Sequence, residues 1–95
     1  MAFNNEIVNV VWKKARIIEG YDSDKWRKDD CNAWIKRKSY DDRKSQYGWK
    51  IEQISPGGSD KISNLRPLQW ENYTDTSDGR LVCKVTSYKT QNTQA

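Results

Sequence analysis

The sequence contains no histidine. Nucleophilic sites of the Ser-His-Asp and Cys-His types depend on an imidazole that acts as the general base, so both classes are excluded. A zinc site is disfavoured as well, because zinc is usually held by cysteine and histidine and this chain has only two scattered cysteines. The sequence therefore lacks the side chains on which several common enzyme classes depend.

The two cysteines, Cys31 and Cys83, are far apart in the sequence and form no Cys-x-x-Cys pair. A disulfide between them is one alternative, and two partly buried free thiols are the alternative that we favour. Free thiols are typical of a reducing compartment, so we expect a cytoplasmic protein.

Long hydrophobic runs are absent too. The N-terminal stretch MAFNNEIVNVVWKK has no long apolar run behind a basic segment, so we expect no signal peptide. No other segment is apolar enough to span a bilayer, and we therefore expect no membrane partner.

Aromatic residues compensate for a low hydrophobic content. The 95 residues are 35% hydrophobic and 32% charged, and they include five Trp and five Tyr. Because each large ring buries much area, we expect a compact aromatic core in which Trp34, Trp49 and Trp70 are buried and Trp26 is partly exposed. The length fits a single domain, which we place at residues 1–90, followed by a flexible polar tail at 91–95.

Positive charge is concentrated in the first half of the chain. Residues 1–50 hold 12 Lys or Arg and 8 Asp or Glu, whereas residues 51–95 hold five of each. This distribution favours a phosphate-bearing partner, and the alternative is an ordinary solvated face, since neighbouring aspartates dilute each basic cluster. The basic residues also interleave with aromatic ones, a mixture that grips phosphates and stacks on bases. They are Lys25, Arg27, Lys28, Lys36, Arg37, Lys38, Arg43 and Lys44, next to Trp26, Trp34 and Tyr40.

Residue patterns predict an α+β fold with one principal helix. IVNVVWKKARII is rich in β-branched residues and predicts an N-terminal strand. CNAWIKRKSY and YGWKIEQI predict two strands that pair as a hairpin, and RLVCKVTSYK predicts a C-terminal strand. ISNLRPLQWENYTDTSDG predicts a helix that carries Leu65 and Leu68 on one side and stops at Gly79.

Three blocks, KWRKDDCNAWIKR, YGWKIEQI and GGSDKISNLRPLQWEN, resemble the HNH endonuclease family in their order and spacing. The resemblance covers roughly residues 20 to 80. It implies a ββα-metal fold, in which a β-hairpin packs on a helix around one divalent ion. For this chain it implies a small ββα unit with an extra N-terminal strand and a C-terminal strand.

The resemblance also assigns the positions of the family's active site. Active relatives have an acid that helps hold the metal, a histidine that acts as general base, an asparagine that orients the loop and a polar ligand on the helix. The matching positions here are Glu52, Gln53, Asn64 and Tyr73. The amide of Gln53 has no pKa near neutral pH and so cannot act as a general base. A single glutamate supplies too few oxygen ligands for a hard cation such as Mg²⁺. We therefore expect no metal, no cofactor and no catalytic residues, while Glu52 and Gln53 as plain surface residues remain the alternative.

These inferences predict a catalytically degenerate HNH-like domain, a pseudoenzyme that binds nucleic acid, with DNA favoured over RNA. Two alternatives stay open: an interaction module or inhibitor that binds a protein partner, and a residual metal-dependent nuclease that uses Glu52. The predicted nucleic-acid contacts are Arg27, Lys28, Lys36, Arg37, Lys38 and Lys50.

Overall fold

The computed structural model describes residues 3–88, 92 and 93. Within these residues the chain forms one α-helix and six short strands. The strands pair in three two-stranded antiparallel sheets, β1 with β2, β3 with β4 and β5 with β6. The elements are α1 (Asn5–Trp12), β1 (Trp26–Lys28), β2 (Trp34–Lys36), β3 (Trp49–Gln53), β4 (Leu65–Gln69), β5 (Tyr73–Thr74) and β6 (Leu81–Val82), with single 3₁₀ turns at Arg37–Ser39 and Ile62–Asn64.

The predicted N-terminal strand is wrong, because this segment forms α1. Asn4 caps the helix, and its Oδ1 accepts a hydrogen bond of 2.9 Å from the Ile7 amide. The apolar residues Ile7, Val8, Val11 and Trp12 recur at spacings of three and four positions, which places them on one face of the helix and against the core. This helical spacing outweighs the strand preference of the β-branched residues.

The predicted helix over residues 62–79 is also wrong, and with it the ββα architecture. Only Ile62–Asn64 is helical, as one 3₁₀ turn, and the chain then continues into β4 and β5. Pro67 explains part of the difference, because a proline in a helix interior removes a hydrogen bond and clashes with the preceding turn. In β4 the same residue is tolerated, since both strands of a two-stranded sheet are edges.

The predicted hairpin partners are wrong as well. β2 pairs with β1, with Trp26 opposite Lys36, and β3 pairs with β4, with Trp49 opposite Gln69. The turn between β1 and β2 explains the first pairing. Asn32 takes a left-handed conformation with a φ of 64°, which asparagine tolerates better than most residues.

The core lies between α1, β2 and the β3–β4 hairpin. Trp12 and Trp49 are both fully buried, and their ring centroids lie 5.4 Å apart. The expected aromatic core is confirmed for Trp34 and Trp49, whereas Trp70 is only half-buried. Six buried residues form the main cluster: Val11, Trp12, Ala15, Ile35, Trp49 and Leu65.

Cys31 and Cys83 form a disulfide, so the expectation of two free thiols is wrong. The bond links the β1–β2 turn to the segment that follows β6, across a sequence separation of 52 residues. Local sequence patterns cannot reveal a pairing between two residues that are this far apart in the chain. A structural disulfide is typical of oxidising compartments, so the argument from free thiols to a cytoplasmic location no longer holds.

The C-terminal predictions are met only in part. The predicted last strand is reduced to Leu81–Val82, and its final residue, 89, lies outside the described residues. Residues 91, 94 and 95 of the predicted flexible tail also lie outside them. Asn92 is buried, and its side chain accepts from the Trp34 amide and donates a 2.9 Å hydrogen bond to the Gln46 carbonyl. None of the helices in the described part of the chain is long and apolar enough to cross a membrane.

Candidate functional site

Glu52 lies near the end of β3, where the family resemblance places a metal-binding acid. Its Oε1 accepts a 2.8 Å hydrogen bond from the Thr74 amide in β5. Its Oε2 lies 2.8 Å from the Lys50 ammonium. Both carboxylate oxygens therefore already have protein partners, and the side chain joins β3 to β5.

Gln53 and Asn64 hold the loop between β3 and β4. The Gln53 side-chain oxygen Oε1 accepts from the Gly57 N–H at 2.9 Å, and the side-chain nitrogen Nε2 donates to the Gly58 carbonyl at 3.0 Å. Asn64 Oδ1 accepts from the Ser55 amide at 2.9 Å, and Nδ2 donates to the Ser59 carbonyl at 2.7 Å. These two side chains replace backbone hydrogen bonds that an irregular loop cannot make by itself.

A shallow cavity of about 190 Å³ opens beside these residues. It is lined by Glu52, Gln53, Pro56, Gly57, Thr74 and Thr76. Tyr73 lies next to Thr74 in β5 and is 38% exposed. The structure thus brings the four positions implied by the resemblance to one end of the β3–β4 hairpin.

The residues at this end of the hairpin do not fit a divalent ion. Glu52 supplies the single carboxylate among the cavity-lining side chains, and that group is already engaged by an ammonium and an amide. A hard cation prefers several oxygen ligands. Throughout the part of the chain that the structure describes, no three His, Cys, Asp or Glu side chains come together as a metal cluster.

Two of the predicted nucleic-acid contacts are buried. Arg27 is 7% exposed, and its guanidinium donates to the Ser23 carbonyl at 2.8 Å and to the Lys13 carbonyl at 3.0 Å. Burial lowers the pKa of Arg27, while Asp24 raises it and opposes that effect. Lys28 is 8% exposed, and its ammonium donates to Ser87 Oγ at 3.2 Å. The side chains of Arg27 and Lys28 therefore make hydrogen bonds within the protein interior that stabilise the fold.

Two further predicted contacts are already paired at the surface. Arg37 lies 3.3 Å from Asp24 and donates a second hydrogen bond, of 3.2 Å, to Asn9. Lys50 forms its ion pair with Glu52. An anion would have to compete with these partners for both cations.

Lys36 and Lys38, the remaining two, lie together with Lys25 around one cleft of about 170 Å³. We call this hollow, lined by Lys25, Lys36 and Lys38, the lysine cleft. Lys25 precedes β1, Lys36 ends β2 and Lys38 belongs to the 3₁₀ turn after β2. The structure therefore collects three cations from separate positions in the chain.

The backbone around the lysine cleft is held by hydrogen bonds to other parts of the chain. The Arg37 amide donates to the Lys25 carbonyl at 3.0 Å, and the Lys36 amide donates to the Tyr47 carbonyl at 3.0 Å. These bonds fix the backbone at Lys25 and Lys36, and Lys38 follows two residues later within the 3₁₀ turn. The cleft is consequently a feature of the folded scaffold and not of a free loop.

An aromatic group adjoins the lysine cleft. The Lys36 ammonium lies 5.5 Å from the centroid of the half-buried Trp26 ring, a cation–π contact. Trp26 also packs perpendicular to Tyr47, with ring centroids 4.9 Å apart and an interplanar angle of 90°. The expectation that Trp26 is partly exposed is confirmed.

Arg27, which is buried, and Lys36, which lines the cleft, lie on different faces of the paired strands β1 and β2. Arg27 pairs with the fully buried Ile35, whereas Trp26 pairs with Lys36 across the same two strands. Residues that are opposite each other across two strands share a face, so Arg27 and Lys36 lie on opposite faces of the β1–β2 pair. Lys28 lies on the same face as Lys36 but is buried, because its ammonium packs against Trp34 and Ser87. Recognising WRK and WIK as partner strands would have distinguished Arg27 from Lys36 from the sequence. Lys25 is not among the predicted contacts, because no local pattern links it to Lys38.

No protein-family model, no curated protein and no solved structure matches this chain. The resemblance to HNH endonucleases stays a prediction, and the ββα architecture that it implied is wrong.

Proposed function

We propose that this protein is a nucleic-acid-binding module that contacts phosphate groups through the lysine cleft. The observation that carries the proposal is the cleft itself, which among the described residues is lined by Lys25, Lys36 and Lys38. Ammonium groups bind phosphates as compact point charges, and each lysine can turn three N–H donors toward the ligand. DNA is the preferred partner, as the sequence predicts.

Binding of this kind is driven mainly by the release of counterions from the nucleic acid. The logarithm of the affinity falls with the logarithm of the salt concentration, with a slope of about −0.9 for each duplex phosphate neutralised. Trp26 adds a flat ring at the side of the cleft, and base–aromatic stacking contributes about 1–3 kcal/mol per base in proteins that bind single strands. The lysines would therefore supply affinity, and the tryptophan would add contact with a base.

Hydrolysis at Glu52 is not proposed. The Glu52 carboxylate is engaged by Lys50 and the Thr74 amide, and the cavity beside it is lined by no second described carboxylate that could share an ion with it. The alternative of a protein partner remains a prediction from the sequence, since no specific contact surface favours it.

The proposal is tested by fluorescence anisotropy with labelled duplex DNA, single-stranded DNA and RNA at several salt concentrations. We expect salt-sensitive binding by the native protein. In Lys25→Gln/Lys38→Gln, affinity should fall about tenfold and the salt slope should become shallower by about 1–2. Lys61→Gln removes one positive charge, against two in the double variant, from an exposed position in the β3–β4 loop and should leave the slope unchanged. Equal slopes for the double variant and the native protein would contradict the proposal.

A further inference from the structure

We infer that the lysine cleft receives the terminal phosphate of a nucleic-acid strand, a phosphomonoester, in preference to phosphodiesters inside the strand. This inference rests on the proposed function and specifies its ligand. Three features support it: the number of cations at the cleft, their arrangement, and the engagement of the neighbouring Arg27, Lys28 and Arg37 with the protein.

The first feature is the number of cations. A terminal phosphate carries a charge of about −1.5 to −2 at neutral pH and exposes three oxygens that are not bridged to a second sugar. A phosphate inside a strand carries a single charge and exposes two such oxygens. Three lysines in one hollow match the charge and the acceptors of the terminal group more closely.

The second feature is the arrangement of the cations. Lys25, Lys36 and Lys38 border one concave space of about 170 Å³, so a single ligand group in that space lies within reach of all three side chains. A protein that tracks a duplex backbone instead distributes its cations along a groove or a stripe, so that each meets a different phosphate. A shared space favours a compact group with a high charge.

The third feature is that neighbouring cations are already engaged. Arg37 pairs with Asp24 and Asn9, and Arg27 and Lys28 are buried in contacts with the protein. The pairing of Arg37 with Asp24 also neutralises the acid next to Lys25 in the chain. Of the six predicted contacts, Lys36 and Lys38 thus remain for a ligand, and Lys25 lines the same cleft.

Trp26 supplies a surface for the nucleoside that carries the phosphate. Its ring lies beside the cleft under the Lys36 ammonium and is half-buried. A terminal nucleotide that places its phosphate among the lysines can lay its base against this aromatic region, because every base has a π-face. The ligand class is thus a phosphorylated strand end and not an isolated phosphate ion.

The inference is tested with three forms of one DNA sequence: a 5′-phosphorylated strand, the same strand with a 5′-hydroxyl, and a covalently closed circle. We expect the phosphorylated strand to bind about tenfold more tightly than the hydroxyl strand, because it adds negative charge within the space that the three lysines border. A 3′-phosphorylated strand determines which end is preferred. Lys38→Gln should reduce this preference, whereas Lys61→Gln should not.

The pH dependence supplies an independent readout. The second pKa of a phosphomonoester is about 6, and the protein has no histidine that would titrate in the same range. Affinity for the phosphorylated strand should therefore rise between pH 5 and pH 7, while affinity for the hydroxyl strand should not.

The outcomes separate the inference from the proposed function. Equal, salt-sensitive binding of all DNA forms would overturn the inference and leave nucleic-acid binding intact. Absence of salt-sensitive binding to any form would overturn both. A phosphate preference that persists in Lys25→Gln/Lys38→Gln would also overturn the inference, because the preference would then originate elsewhere.

Discussion

Asn72 donates a 3.0 Å hydrogen bond from its Nδ2 to Oδ2 of Asp29, and both residues are buried. The Asn72 Oδ1 accepts from the Lys84 and Val85 amides, each at 2.8 Å. Asp29 accepts from the Gln69 amide at 2.8 Å. One pair of side chains therefore joins the β1–β2 turn, the end of β4 and the segment after β6. This polar core supports the turn whose flanking strands present Lys36 and Trp26.

Asp29→Asn should destabilise the protein although the two side chains have the same shape. Asp29 Oδ2 accepts from the Gln69 amide and from Asn72 Nδ2, while Oδ1 accepts from the Cys31 and Ala33 amides. In asparagine an NH₂ group replaces one of these two oxygens, and it would then meet N–H groups that need an acceptor. We therefore expect a loss of about 3 kcal/mol in the free energy of unfolding.

The loss is measured by urea denaturation. Asp78→Asn is the matched control, because this exposed side chain accepts from the Arg80 amide and can still do so as an amide. A loss below about 0.5 kcal/mol for Asp29→Asn, which is typical of surface substitutions, would contradict the role of Asp29.

The cost of Asp29→Asn should also depend on pH. Burial raises the pKa of the Asp29 carboxyl above its ordinary value of 3.8, although hydrogen bonds from Gln69, Ala33, Asn72 and Cys31 act in the opposite direction. The folded state then binds this proton more tightly than the unfolded state. The resulting stabilisation is fully present below pH 3.8 and is lost as the pH rises through the folded-state pKa.

Denaturation of the native protein and of Asp29→Asn at a series of pH values from about 3.5 to 7 isolates this contribution. We expect the stability difference between the two proteins to become smaller as the pH rises. A difference that grows with pH would mean that the hydrogen bonds to the carboxylate outweigh its burial.

Gly48→Ala should be among the most damaging small substitutions in the chain. A Cβ at this position would lie 1.7 Å from the Asp42 carbonyl oxygen, which is backbone and cannot rotate away. Relief requires the loop at residues 42–48 to move, so we expect a loss of about 3 kcal/mol or failure to fold.

Gly20→Ala is the comparison for Gly48→Ala. Its Cβ would meet nothing within 4 Å, but the residue has a φ of +90°, so strain of about 1–2 kcal/mol is expected. Thermal denaturation should therefore rank the Gly48 variant below the Gly20 variant. The reverse order would contradict the packing of the loop.

Removal of the disulfide should lower stability without removing the lysine cleft. Cys31→Ser/Cys83→Ser opens a loop with a separation of 52 residues, for which chain entropy gives a loss of about 4 kcal/mol. Denaturation with and without a dithiol reductant measures the effect, and only the native protein should respond to the reductant. If reduction leaves its stability unchanged, the bond does not constrain the chain as described.

The sequence predicts a strand best where the residues of that strand alone show the pattern. YGWKIEQI predicts a strand, and Trp49–Gln53 is one, but the predicted partner is wrong because pairing depends on distant residues. The segment ISNLRPLQWENYTDTSDG predicts a helix because its spaced leucines resemble a helical face. Its hydrogen bonds instead go to β3 and, through Asn72, to the buried Asp29. Such tertiary contacts override local preference.

The candidate site is predictable in its chemistry and not in its geometry. Composition and charge indicate a basic, aromatic region within residues 25–44, and the lysine cleft lies there. Alternation across β1 and β2 places Arg27 and Lys36 on opposite faces once the strand pairing is known, but it does not predict the burial of Lys28, which shares the face of Lys36. Arg27 and Lys36 have similar sequence surroundings, yet the first is held by backbone carbonyls inside the protein and the second lines the cleft.

The central claim is that three lysines converge to bind phosphate, and one titration tests it most directly. Labelled DNA is titrated with the native protein and with Lys25→Gln/Lys36→Gln/Lys38→Gln, at two salt concentrations, after thermal denaturation has established that the variant is folded. We predict that the native protein binds in a salt-sensitive manner and that the folded triple variant loses at least about tenfold in affinity. Unchanged affinity in the folded triple variant would contradict the account.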